Sequence, residues 1–291
     1  MSQRLYLLAL VPGLMSVAVG CPSIETGRDP PKTIIRVEGS DTMVNIAQAW
    51  AEEYHKKHAE VSVQVLGGGS GVGIASLIEG NCDLANTSRK MKPNEIEKAK
   101  AKHGKDPIEH IVGYDALGIY VHPSNPLASI SIEELAQIFG ADPTVTHWSQ
   151  LGVSGMPRDQ IIRVSRQNSS GTYAFFREIV LAKQDLGLGS VDANGSKDVV
   201  ALISRTPGAI GYSGMGYNTA EVKMLRVSKR RGDPGVAPTL ENANNRSYPI
   251  TRPLQIYTIG NPAGPVKEYL DWMMTPAGQQ VVLDLGYVPA R

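Results

Sequence analysis

The chain has 291 residues, 42% of them hydrophobic and 20% charged, a balance that belongs to globular proteins and excludes a disordered or fibrous chain. At this length a single core stops growing efficiently, so two domains or one large one are expected, two being the starting assumption. The 29 basic and 28 acidic residues leave a net charge of +1, which excludes the broad basic field of a nucleic-acid binder and makes any anion site local.

After Arg4, residues 5–20 are uncharged, rich in Leu, Val and Ala, and end in small residues before Cys21. A short apolar run behind a basic residue is the layout of an export signal. A spanning helix needs about 20 apolar residues, and Pro12 and Gly13 interrupt this run. The segment Ala18-Val19-Gly20-Cys21 resembles a bacterial lipobox, with Ala18 where Leu is usual, which implies lipidation of Cys21. Residues 1–21 are thus expected to be a signal peptide with lipobox, and 22–32 a flexible tether. The expected location is the periplasm or cell surface, with a lipid anchor in a bacterial membrane. Cys82 then has no disulfide partner and reads as a small buried hydrophobe.

From Thr33 onward, β-branched runs alternate with helical patterns, which predicts an α/β protein with mixed, mainly parallel sheets flanked by helices. Residues 34–37 read as a strand. Residues 43–54 read as a helix with Ile46, Ala47, Trp50 and Tyr54 on one face. A strand at 61–65, a short helix from Ile74 and a strand at 83–87 follow, the last after a turn at Gly80-Asn81. The charged stretch 90–105 reads as a solvated helix. Apolar runs at 112–121 and 254–259, bounded by prolines, look like hinge strands. If both cross between domains, 33–116 and 249–291 form lobe 1, and 117–248 form an inserted lobe 2.

Three segments share one arrangement of strand, small-residue loop and helix: Gly39-Ser40-Asp41-Thr42, Gly67-Gly68-Gly69-Ser70-Gly71 and Ser169-Ser170-Gly171-Thr172. The first N–H groups of a helix have no internal partners and carry about half a positive charge, so a helix start attracts an oxyanion. Glycine lets the backbone approach closely, and Ser and Thr add hydroxyl donors or caps. Each loop alone reads more often as only an ordinary N-cap. Three of them, with Arg166 just upstream of the third, point to a tetrahedral oxyanion held by hydroxyls, amides and one rigid guanidinium fork.

Those loops, with Ala85-Asn86-Thr87-Ser88-Arg89, Asn125-Pro126 and Gly208-Ala209-Ile210-Gly211-Tyr212 in order, resemble the phosphate-binding protein of the bacterial phosphate-specific ABC transporter over residues 33–291. The resemblance implies the two-lobed type II periplasmic binding fold with two hinge crossovers. It also implies a function in capturing inorganic phosphate for ABC-transporter permease subunits, as a monomer. Carried over residue by residue, it implies a ligand shell of Ser40, Asp41, Thr42, Ser70, Ser88, Arg166, Ser170, Gly171 and Thr172. Some relatives of this kind place an Asp where Ser88 stands, to accept the proton that phosphate keeps and sulfate lacks. Asp41 is the nearest replacement, unless it caps the first helix. Asn168 also takes a place where an acidic residue is common.

No enzyme, cofactor or metal is expected. Ser70 is followed at the second position by Val72, where a nucleophile elbow needs glycine, and no Walker sequence occurs. His55 and His58 read as a solvated helix face. The competing readings are a binding protein for sulfate, molybdate or tungstate, a phosphate sensor without transport, and a phosphate-ester hydrolase.

Overall fold

A computed structural model describes residues 33–290. The signal peptide, lipobox, tether and Cys21 readings lie outside the described residues. The first elements are β1 (Thr33–Gly39), α1 (Val44–His55), β2 (Val61–Leu66), α2 (Ser70–Glu79), β3 (Leu84–Thr87), α3 (Pro93–His103) and β4 (Pro107–Val121). Next come β5 (Ser129–Ser131), α4 (Ile132–Phe139), β6 (Ile162–Arg166), α5 (Gly171–Ile179), β7 (Val191–Ala193), α6 (Ser196–Ser204) and β8 (Ala209–Gly214). The chain continues through β9 (Lys223–Met224), β10 (Arg226–Ser228), α7 (Leu240–Asn244), β11 (Thr251–Ile259), α8 (Gly264–Met273), α9 (Pro276–Asp284) and β12 (Val288–Pro289).

The main sheet runs in the order β2-β1-β3-β11-β4-β8-β6-β7, with β9 and β12 attached to β4. Its two wings are parallel: β1 with β2 and β3, and β6 with β7 and β8. Between them β4 pairs antiparallel with β11 and then with β8. β4 is 15 residues long, and its first part belongs to one wing and its last part to the other. The two apolar runs expected to be hinge strands are therefore hydrogen-bonded neighbours at the middle of the molecule. Their antiparallel pairing follows from one chain segment leaving the first wing and the other returning to it.

Each wing has its own core. In the first, Ile46, Trp50 and Tyr54 of α1 pack with Ile35 and Val37 of β1 and Leu254 and Ile256 of β11. Burial of each large side chain stabilises the fold by about 1.5–3 kcal/mol. The Trp50 indole N–H also donates to the Gly278 carbonyl at 2.7 Å, tying α1 to α9. In the second wing, Phe176 of α5 stacks on Tyr212 of β8 with ring centroids 3.9 Å apart. Tyr212 is fixed in turn by a 2.8 Å hydrogen bond with Ser165.

Several sequence expectations shift at their edges. α2 begins at Ser70, four residues before the expected start, because Gly73 can lie against β1. A Cβ at Gly73 would come 2.3 Å from the Glu38 carbonyl oxygen. α1 ends at His55, so His58 is not on its face; instead it stacks on Tyr54 at 4.1 Å. Cys82 is buried, and burial pushes its thiol up to about 11.

Candidate functional site

The three loops follow β1, β2 and β6, and Ser88 follows β3; all leave the carboxyl ends of parallel strands, the place where open α/β sheets bind ligands. The third loop shows the local logic. β6 ends at Arg166, and Ser170 caps α5 by accepting from the Thr172 and Tyr173 N–H groups at 3.1 and 3.3 Å. Glycine at 171 leaves room for two hydroxyls, since a Cβ there would lie 2.2 Å from Ser70 Oγ and 2.4 Å from Ser88 Oγ.

The hydroxyls expected to form a shell do meet. Ser40 Oγ donates to Ser88 Oγ at 2.9 Å, and Ser70 Oγ lies 3.4 Å from Ser88 Oγ. Ser70 Oγ also accepts from the Ser88 N–H at 3.0 Å. Thr42 Oγ1 and Thr172 Oγ1, from loops 130 residues apart, are 2.9 Å from each other. Ser40, Thr42, Ser70, Ser88, Ser170 and Thr172 are all buried. Each such hydroxyl can both donate and accept, so contacts among them are exchangeable for contacts to ligand oxygens.

Fewer helix-start amides are uncommitted than the loop pattern suggests. The Gly71 N–H donates to the Ser169 carbonyl at 2.8 Å, joining the second loop to the third, and the Ser40 N–H donates to the Asn86 carbonyl. The Thr172, Tyr173 and Ser88 amides are also engaged, by serine side-chain oxygens.

Arg166 is 1% exposed. Its Nη2 donates to Asp41 Oδ2 at 2.6 Å and its Nη1 to Ser196 Oγ at 3.1 Å. Nε is buried with no hydrogen-bond partner among the described residues, a costly state unless a ligand supplies an acceptor. Burial pulls the guanidinium below its ordinary value, while the Asp41 carboxylate opposes that and the charge of Arg252 adds to it. An arginine starting so high stays charged at neutral pH.

Asp41 does not cap the first helix. Its Oδ1 accepts from the Gly68 N–H at 2.9 Å and its Oδ2 from Arg166, so the carboxylate holds the second loop and the guanidinium together. The Tyr217 hydroxyl fixes the Asp41 carbonyl at 2.6 Å. Asn168 is exposed. Where a neighbouring acid might have faced Arg166 from the same loop, the facing carboxylate comes instead from the other wing.

Sequence reasoning missed Arg252 and Asp115, buried at 2% and 0% exposure. They lie directly opposite each other on β11 and β4, with Arg252 Nη2 2.8 Å from Asp115 Oδ2. Burial pushes the Asp115 carboxyl up, and Arg252 and the Met215 N–H oppose it. A signal was present: one acid inside the run 112–121 and one arginine between Thr251 and Pro253 are opposite charges in two apolar segments, and buried charges come paired. Ser196 and Tyr217 carried no comparable signal.

A family model described as a PBP superfamily domain matches residues 25–277. The phosphate-binding protein PstS of Pseudomonas aeruginosa is 36% identical over 262 residues, covering 86% of this chain and 81% of that protein. PstS of Bacillus subtilis is 29% identical, covering 98% and 94%. Among solved structures, a phosphate ABC-transporter substrate-binding protein of Clostridium perfringens with bound phosphate superposes with a TM-score of 0.79. It is 26% identical and covers 89% of this chain and 100% of that one. An ABC-type phosphate transport receptor of Vibrio cholerae gives a TM-score of 0.68 at 26% identity, covering 87% and 99%.

Proposed function

The chain belongs to the PBP superfamily and, within it, to the family of phosphate-binding proteins, and on that premise we propose that it captures inorganic phosphate between two lobes and delivers it to an ABC-transporter permease. The family is one of substrate-binding proteins rather than enzymes. The observation that carries the reading to this chain is the buried Arg166, with Nε unpartnered among the described residues, in a set of buried hydroxyls drawn from four loops. A phosphate oxygen would complete Nε, and the hydroxyls of Ser40, Ser70 and Ser88 would turn from one another to the ligand. The remaining proposed ligand residues are Asp41, Thr42, Ser170, Gly171 and Thr172. Of these, Asp41 acts by orienting Arg166 and Gly171 by leaving room.

The lobes we assign are 33–116 with 249–291, and 117–248. Closing them desolvates the anion, which strengthens each charge-assisted hydrogen bond. We also propose that the protein is extracytoplasmic, monomeric and tethered by lipid on Cys21. Release of the Cys21→Ala variant from the membrane fraction is the expected result, and retention would end the tether reading. The oxyanion reading is tested by calorimetric titration of refolded, ligand-stripped protein. Tight phosphate binding with weaker sulfate binding is expected. Equal or stronger binding of sulfate, molybdate or tungstate would favour the other oxyanions instead.

A further inference from the structure

Resting on the phosphate reading, we infer that Arg252, held by Asp115, is a positioning residue of the oxyanion site that acts through the hydroxyls of Thr42 and Thr172. Arg252 Nη2 lies 3.1 Å from Thr42 Oγ1, 3.0 Å from Thr172 Oγ1 and 2.8 Å from Asp115 Oδ2. Nε adds a second bond to Asp115 Oδ2 at 3.1 Å, and Nη1 reaches the Ser88 carbonyl at 3.4 Å. One guanidinium thus touches the first loop, the third loop and the backbone of Ser88. It does so from β11, one of the two strands at the middle of the sheet.

A guanidinium has no acceptor to offer, and Nη2 carries two N–H groups: one serves Asp115 and the other is shared between the two threonine oxygens, which accept it. The two oxygens are themselves 2.9 Å apart, so one hydroxyl can donate to the other. The second hydroxyl then has no acceptor inside this triangle, and its hydrogen must point out of it. Thr172 directly follows Gly171, whose backbone lies against Ser70 and Ser88, so the threonine pair borders the shell. A hydroxyl that accepts from a cation is also a stronger donor in turn. The pair therefore converts two ambiguous hydroxyls into an oriented donor.

Asp115 accounts for how such a charge is tolerated. Its Oδ1 takes the Met215 N–H at 3.3 Å, and its Oδ2 takes Arg252, so neither buried charge is left alone. The pair is neutral as a whole, with its cationic end on the threonines. Arg252 is further fixed by the Phe175 ring, whose centroid is 5.5 Å from Cζ. A buried ion pair is weak evidence for stabilisation, since apolar replacements are often as stable. Its contacts to the two loops explain its place better than stability does.

The test removes both charges together, Asp115→Asn with Arg252→Gln, and measures phosphate Kd in two backgrounds: native threonines, and Thr42→Val with Thr172→Val. With the hydroxyls present, the charge-free pair should weaken binding about tenfold. With the hydroxyls gone, the same change should cost less than about twofold, because neighbours acting through one another are not additive. Equal losses in both backgrounds, or no loss in the first, overturn the inference. If the charge-free pair fails to fold, Arg252→Lys enters the same comparison with the same expectation, since it keeps a charge beside Asp115 and loses the fork. A wild-type protein that takes up no phosphate overturns the parent reading, whereas a binding wild type with additive losses overturns this one alone.

Discussion

Arg166 and Arg252 are both buried, and each faces a carboxylate from a distant segment, yet their hydrogen bonding differs. Arg252 spends all three nitrogens on Asp115, Ser88, Thr42 and Thr172. Arg166 leaves Nε with no partner among the described residues, and its carboxylate partner Asp41 is 15% exposed, against 0% for Asp115. A guanidinium with a contact at every nitrogen chiefly organises what surrounds it, whereas one with a bare, unsaturated Nε still has a donor for a ligand. The difference separates a group that contacts an anion from a group that sets up the contacts.

The largest effect that follows is at the unsaturated member. Arg166→Ala removes the ligand donor and leaves Asp41 facing the site without its partner, at a cost of about 3–5 kcal/mol, or more than about a hundredfold in phosphate Kd. The variant should remain folded, as circular dichroism would record, and normal binding by it would break the contrast. A smaller, opposite-signed change tests what the shell lacks. Both nearby carboxylates are already engaged by arginines, so Ser88→Asp would supply a free acceptor for the phosphate proton while repelling sulfate. The preference for phosphate over sulfate should rise about tenfold in paired titrations. An unchanged ratio would mean that discrimination lies elsewhere.

The smallest effect lies at the edge of the site, at a third arginine–carboxylate pair. Glu95 receives both Arg89 Nη atoms at 2.8 Å and the Lys92 N–H at 2.7 Å. Burial alone would raise its carboxyl, but Arg89 and the Lys92 amide overcome that and hold it below the usual range. A value lower in the folded than in the unfolded chain gives stability that is present above the ordinary glutamate range. That stability is lost as pH falls through the depressed value. Glu95→Gln should therefore cost about 1 kcal/mol near neutral pH, and the gap from wild type should close on acidification. A gap constant with pH would show that the charge is not involved, and phosphate affinity should not change in either case.

The legible parts of this molecule are those where local chemistry and global position agree. The Val- and Ile-rich runs became strands, and Ile46, Trp50 and Tyr54 became the buried face of α1, because periodicity reports burial directly. Ser40, Ser70, Ser88, Gly171 and Thr172 were legible as a group through the loops that hold them. Partnership across 125 residues between Asp41 and Arg166 was not, since either residue alone reads as a cap or a surface charge. Asp115 and Arg252 were less visible still. Their pairing depends on the register of β4 against β11, which only the folded sheet determines. The start of α2 was read late because Ser70-Gly71-Val72-Gly73 looks like loop composition, whereas Gly73 serves close packing against β1.

The most direct measurement is a crystal structure of the protein purified from phosphate-containing medium, with attention to Arg166 Nε. A phosphate oxygen within hydrogen-bond distance of Nε, with the Ser70 and Ser88 hydroxyls turned onto the same ion, is the predicted result. Phosphate bound elsewhere, or bound with Nε still lacking an acceptor, would contradict the account.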